Sequence, residues 1–174
     1  MTSTDRITTV RGTTIGTALL LVVLCAGPGG ASAETKERIQ LGAVENVMLL
    51  PWGVTLPARI DTGAATSSLD ARNLLVRGDT VEFTLPKQYG GQMIQLPVVR
   101  WMTVRSAEAK EQRPVVVMDL CIGSKRIRTE VNLNDRSGVK YPMLIGRNVL
   151  MRDFVVACDT SFCTTPSCPE VIPK

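Results

Sequence analysis

Pro57-Ala58-Arg59-Ile60-Asp61-Thr62-Gly63-Ala64 is the stretch on which the fold turns. A short apolar-flanked run ends on a carboxylate, and the residues behind it are small or flexible. Gly63 lets the backbone turn tightly and brings main-chain N–H groups toward Asp61. Thr62 adds a hydroxyl able to bond a neighbouring main-chain group and fix the turn. Ala64 leaves room beside the carboxylate. Alone, an Asp-Thr-Gly triplet is as much the mark of a polar loop, so a second element has to support it. Tyr141-Pro142-Met143-Leu144-Ile145-Gly146-Arg147-Asn148-Val149-Leu150 does so. It reads as a buried strand through Leu144 and Ile145, then Gly146, then a short helix over 147–151 that opens with Arg147 and Asn148. Such a strand is suited to pass beside a turn of the first kind.

Working outward, the pattern is strand-like almost throughout. Strands are expected over residues 39–50, 56–61, 80–85, 96–105, 113–122, 125–133, 143–145 and 154–159. These segments are rich in Val, Ile, Leu and Thr and are separated by Gly, Pro, Asn, Asp or Ser. Ile122-Gly123-Ser124-Lys125 reads as a tight hairpin turn with Gly123 and Ser124 at its centre. A second short helical turn is expected over 71–75. No internal repeat is present, so the class is all-β with a single domain.

The N-terminus stands apart from this pattern. Arg6 and Arg11 precede an apolar run over 15–26, Gly27-Pro28-Gly29-Gly30 breaks it, and Ala31-Ser32-Ala33 supplies small residues. That order of parts is a secretory signal peptide cut after Ala33, which places the protein in the periplasm or outside the cell. The alternative is a retained anchor, but the run is shorter than the roughly 20 residues of a spanning helix. The expected organisation is a signal peptide over 1–33, a main domain over 34–160, and a Cys- and Pro-containing tail over 161–174. No membrane span is expected once the signal is removed.

Beyond the signal, Cys121, Cys158, Cys163 and Cys168 remain. An even number in an oxidising compartment points to two disulfides, whose pairing the spacing leaves open. The tail spacing of Cys158, Cys163 and Cys168 is the alternative mark of a metal site, but the 174 residues include no histidine to complete a common zinc set. The same absence removes Ser-His-Asp and Cys-His catalysis and histidine general bases. No phosphate-cradling G-x-x-x-x-G-K-[ST] loop is present. No cofactor or metal is expected, and any hydrolytic chemistry falls to carboxylates. A net charge of +4 without a long basic run makes no case for nucleic acid.

Asp61-Thr62-Gly63-Ala64 together with Leu144-Ile145-Gly146-Arg147-Asn148 resembles the retropepsins, the single-lobe aspartic proteases of retroviruses. The longer runs 61–69 and 134–147 are similar to a bacterial retropepsin-like group often labelled ATP-dependent zinc protease. The likeness covers roughly residues 41–159. It implies a single-lobe acid-protease barrel with one short C-terminal helix, hydrolysis of peptide bonds, and a homodimer. The nucleotide and zinc of that label find no motif here. Viral retropepsins carry an Asp after Asp-Thr-Gly-Ala that pairs with the Arg of Gly-Arg-Asn, and the bacterial group commonly carries Arg. Ala65 departs from both, which leaves Arg147 to pair with Asp70 or Asp153 or to face solvent.

Peptide hydrolysis of this type needs two carboxylates sharing one proton. Only one Asp-Thr-Gly is present, so the resemblance implies that a two-fold axis supplies the second Asp61. A flap over the substrate is expected in the hairpin over 98–118, with Ser106, Glu108, Lys110 and Gln112 at its tip. Trp52, Trp101 and Tyr141 are expected as core or edge packing rather than groove lining. The competing reading is a non-catalytic peptide-binding or scaffold domain of the cell envelope that keeps the fold. A disulfide-stapled structural domain is a third.

Overall fold

The computed structural model describes residues 37–105 and 110–169. The strands are β1 (Ile39–Leu41), β2 (Val44–Leu50), β3 (Val54–Ile60), β4 (Ser67–Asp70), β5 (Arg72–Arg77), β6 (Thr80–Thr84), β7 (Met93–Pro97), β8 (Arg100–Arg105), β9 (Lys110–Ile122), β10 (Lys125–Asn134), β11 (Met143–Ile145) and β12 (Phe154–Val156). A single α-helix, α1, spans Arg147–Asp153, and a 3-10 turn covers Lys87–Tyr89.

Six strands close into a barrel in the order β10-β4-β11-β3-β2-β9, because β9 and β10 also pair with each other. Closure removes the free sheet edges that a small β domain would otherwise expose. Alternation along the strands sends Leu49, Leu56, Leu69, Leu120, Leu133 and Met143 inward, all at most 1% exposed. The expected hairpin forms: Ile122 pairs with Lys125, and Gly123 takes the left-handed φ of 55° that the turn requires. β8 extends the barrel sheet from β9, and β5, β6 and β7 form a separate three-stranded sheet. Val81, Phe83 and Ile94 of that sheet join the same core as the barrel.

Four segments differ from the sequence expectation. Residues 71–75 are not a helical turn; they lead into β5, whose pairing with β6 shifts register between Arg72 and Leu75. Asn73 has a positive φ of 52° there, and this irregularity blurs the two-residue alternation that marks a strand. Residues 39–50 form two strands rather than one. The break at Gly42 admits the chain at Thr160, whose carbonyl oxygen would lie 2.5 Å from any Cβ at that position. Residues 96–105 likewise divide, between the end of β7 and the start of β8. The last strand stops at Val156.

The chain beyond Val156 is bound to the barrel by an unforeseen group. Glu45, fully buried on β2, accepts four hydrogen bonds: from the Gly42, Cys163 and Thr164 N–H groups and the Thr164 hydroxyl. A carboxylate removed from water needs such a set of donors. Cys121 of β9 then forms a disulfide with Cys168 across 47 residues of sequence. The expectation of two disulfides is therefore corrected: Cys158 and Cys163 are both free and exposed. Replacing Cys121 and Cys168 together by Ser is expected to cost about 2–4 kcal/mol, since the bridge restricts a long loop of the unfolded chain. Reducing agent should lower the thermal midpoint of the wild type but leave that of the double variant unchanged.

Candidate active site

Two loops converge where β3 and β11 end. These strands run parallel, with Ile60 opposite Ile145, and the pairing continues one step further as the Asp61 N–H donates to the Ile145 carbonyl at 2.9 Å. Asp61 thus leaves the sheet at a position set by the buried strand beside it. Its Oδ1 accepts hydrogen bonds from the Gly63 N–H at 2.9 Å and the Ala64 N–H at 3.1 Å. A Cβ at Gly63 would sit 3.2 Å from that same oxygen, so the glycine keeps the carboxylate uncrowded. Asp61 is partly exposed and Thr62 is exposed. The Thr62 hydroxyl has no partner among the described residues, so the expected bond from Thr62 to its own turn is not made within one chain.

The turn is fastened to the start of α1. The Arg147 N–H donates to the Ala64 carbonyl at 2.8 Å, and the Asn148 N–H to that of Ala65 at 3.2 Å. Gly146 lies between the two loops, where a Cβ would stand 2.8 Å from the Thr66 carbonyl carbon and 2.9 Å from the Ala64 oxygen. Its N–H donates to Ser67 Oγ, and Ser67 in turn donates to Asn148 Oδ1 from both its N–H and its hydroxyl. The Asn148 amide nitrogen donates to Thr129 Oγ1 and the Glu130 carbonyl, each at 2.8 Å. One side chain therefore joins β4, β10 and α1 behind the turn. Ser67 was given no role in the sequence reading, because one of two adjacent serines in a polar run carries no spacing signal; it is fully buried.

Arg147 binds main-chain oxygens of the turn. Its Nη1 donates to the Thr62 carbonyl at 3.0 Å and the Gly63 carbonyl at 2.6 Å. A guanidinium bridging two carbonyls does for the turn what a side-chain ion pair would otherwise do. Asp70 is engaged elsewhere: buried, it holds Arg72 through two contacts of 2.8 and 2.7 Å and accepts the Arg136 N–H at 2.8 Å.

Arg136 is the second group that sequence reasoning missed. It stands on the loop between β10 and β11, half-buried, with Nε donating to the Tyr141 carbonyl. Burial pulls its pKa below the ordinary guanidinium value, and the Asp70 charge opposes that shift. Arg113 adds to the lowering, while Asp61 acts to raise it. Arg136 is therefore within electrostatic reach of Asp61 although far from it in sequence.

The remaining expected residues fall into place less completely. β8 and β9 form the hairpin proposed as a flap, with Lys110 and Gln112 on β9, paired to Arg105 and Thr103. Ser106 and Glu108 lie outside the described residues. Trp52 packs against the core as expected, but Trp101 is 50% exposed. Tyr141 carries the Lys140 ammonium 5.2 Å above its ring. No helix among the described residues is long and apolar enough to cross a membrane.

Comparison with known proteins agrees with this geometry. The family model described as the retropepsin-like aspartic endopeptidase RimB matches residues 40–166. A solved structure of a Legionella pneumophila protein of unknown function is similar at 29% identity and a TM-score of 0.61, covering 71% of this chain and 95% of that one. A curated Shewanella pealeana protein, a probable alpha-L-glutamate ligase, is 31% identical over 117 residues. That match covers 62% of this chain but only 26% of the ligase, so the chain spans about a quarter of that relative's length. A strand-ending Asp61 in an Asp-Thr-Gly turn, fastened to a Gly146-Arg147-Asn148 helix start on a closed barrel, agrees with the family match, and the chain belongs to the RimB-like family of retropepsin-like aspartic endopeptidases.

Proposed function

We propose that this chain is an exported aspartic endopeptidase whose working unit is a homodimer with one Asp61 from each subunit. The observation that carries the reading is the held, accessible carboxylate: Oδ1 takes two turn N–H groups, while Oδ2 takes no hydrogen bond among the described residues. Two such carboxylates facing each other across a two-fold axis share one proton. The ionised Asp61 takes a proton from water as the water attacks the scissile carbonyl carbon. The protonated Asp61 of the other subunit donates to the carbonyl oxygen, giving a tetrahedral diol, and collapse with proton transfer to nitrogen releases the amine. The pair titrates as a unit, so activity is expected to fall on both sides of an optimum. In this dimer the exposed Thr62 hydroxyl bonds the opposite turn, and the β8–β9 hairpin covers the substrate. Export rests on the leader sequence ending at Ala33.

The test is cleavage of a peptide library from pH 4 to 8 with oligomeric state measured alongside. A wild type that cleaves while strictly monomeric would sink the shared dyad. Glutamate-rich peptides belong in the library, because Arg136 and Arg147 bring positive charge to the site and the curated relative is named as a glutamate ligase. Arg147→Ala should open the turn, lowering kcat about tenfold or more for about 1 kcal/mol of stability, consistent with loss of charge-assisted bonds at an exposed position. Equal kcat in that variant would show that the bonds to Thr62 and Gly63 do not position Asp61.

A further inference from the structure

Glu45 is a fully buried carboxylate for which the proposed chemistry has no use. It stands on β2 opposite Ala58 of β3, three residues ahead of Asp61. Its hydrogen bonds divide evenly between the two oxygens. Oε1 accepts the Gly42 and Cys163 N–H groups at 2.6 and 2.9 Å, and Oε2 the Thr164 N–H and hydroxyl at 3.0 and 3.1 Å. One carboxylate thus joins the bend between β1 and β2 to a strap formed by residues 157–168.

The strap is shaped for this carboxylate. Cys163 and Thr164 both aim their N–H groups at it, and Phe162 just before them takes a left-handed φ of 56°. Successive N–H groups turned to one side by such a residue form an anion-binding nest. A bulky aromatic residue in that region is strained and persists only where its surroundings hold it. The Phe162 side chain is 53% exposed, so the hold comes through the main chain. Its N–H donates to the Val44 carbonyl at 2.6 Å, on the edge of β2 that β9 leaves uncovered.

Hydrogen bonds carry this clamp to Asp61. The Ala43 N–H donates to the Thr160 carbonyl at 2.6 Å, and the Ala43 carbonyl accepts the Ile60 N–H at 3.0 Å. Ile60 ends β3, and Asp61 follows it. The strand end is therefore fixed on both sides: Ile60 is bonded to Ala43, and the Asp61 N–H to Ile145. At Gly42 the strap and the bend meet through main chain alone, with Thr160 and Ser161 atoms 2.5–2.7 Å from where a Cβ would stand. Neither can shift without the other.

We propose that Glu45 is a positioning residue for Asp61: by clamping the strap to the β1–β2 bend it fixes Ala43, and through Ile60 it sets where Asp61 leaves the sheet. The effect on cleavage rests on the endopeptidase reading of Asp61, the effect on the turn does not, and the experiment separates them. Glu45→Gln keeps the side chain's size but leaves one oxygen for four donors; whichever way the amide turns, its NH2 faces a main-chain N–H. At a temperature well below the unfolding midpoint, kcat should fall about tenfold with KM unchanged, as for a small displacement of a reacting group. The Cys121→Ser, Cys168→Ser protein is the control. It is destabilised as a whole but keeps the carboxylate clamp, so its kcat at that temperature should equal that of the wild type. An unchanged kcat in Glu45→Gln, or an equal loss in the control, would overturn the proposal. A second arm needs no turnover. The amide NMR signals of Ile60, Asp61, Gly63 and Ala64 should shift in Glu45→Gln, with faster hydrogen exchange at Ile60, and keep their places in the control. If these signals move while the wild type cleaves nothing, only the endopeptidase reading falls. If they stay in place, the positioning role falls whether or not the wild type cleaves. Thr164→Val decides the matter if Glu45→Gln does not fold. It removes one donor of the four and keeps the shape, so kcat should fall about threefold and the same signals should move. Unmoved signals in that variant would equally overturn the proposal.

Discussion

Asp61→Asn is expected to lower peptide cleavage on the order of 10⁴-fold, because the substitution removes the general base and the general acid from a symmetric dimer at once. The fold should survive. The asparagine amide keeps an oxygen able to accept the Gly63 and Ala64 N–H groups that Asp61 Oδ1 accepts now. Asp61 also contributes nothing to the buried core. Circular dichroism and the denaturation midpoint should therefore match the wild type while activity is lost. Subunit mixing gives the sharper version. If each site needs one aspartate from each chain, equal amounts of wild type and variant, allowed to exchange, should retain about one quarter of the activity of the same total of wild type, the share of all-wild-type pairs in a random dimer. Retention of one half would mean that each chain works alone.

Gly146→Ala is expected to have the largest effect on stability of the single substitutions. The new methyl carbon would lie 2.8 Å from the Thr66 carbonyl carbon, 2.9 Å from the Ala64 oxygen and 3.0 Å from the Thr66 oxygen, all main-chain atoms. No side-chain rotation relieves such contacts, so the two loops must part. Overpacking of this kind costs about 3 kcal/mol. Separation would also stretch the bonds from Arg147 and Asn148 to the Ala64 and Ala65 carbonyls, and with them the position of Asp61. Activity should fall together with the midpoint of urea unfolding. Gly138→Ala is the control: it is exposed, and nothing lies within 4 Å of the added atom. A change within about 0.5 kcal/mol is expected there, as for ordinary surface positions. Equal effects at the two glycines would show that the contact at Gly146 is not the cause.

The legible parts of the sequence were those where local chemistry repeats at short range. Runs rich in Val, Ile, Leu and Thr between Gly, Pro, Asn, Asp or Ser marked β2, β3, β6, β9 and β10, and the Gly123-Ser124 turn marked the hairpin joining the last two. The strand, glycine and helix of 143–153 were readable because apolar residues, a breaker and a helix start follow each other in order. β4 and β5 were not readable. Ser67-Ser68-Leu69-Asp70 is polar in composition yet fully enclosed, because Asn148, Asn132 and Arg136 supply partners from elsewhere in the chain. β5 carries its irregularity at Asn73 and faces largely outward. In both, tertiary hydrogen bonds outweigh local propensity.

By itself the sequence determined the all-β class, the place of Asp61 at a strand end and the elements that flank it, since each follows from the order of neighbouring residues. Tertiary structure alone decided what Asp61 rests on. Which strand closes the barrel, which amide joins Ser67 to Thr129, which carbonyls Arg147 binds and which cysteine Cys121 meets are contacts between groups remote in sequence. For the Ser67–Asn148–Thr129 network the partners are chosen by the requirement that buried polar groups be satisfied, and none of these contacts has a local period to read.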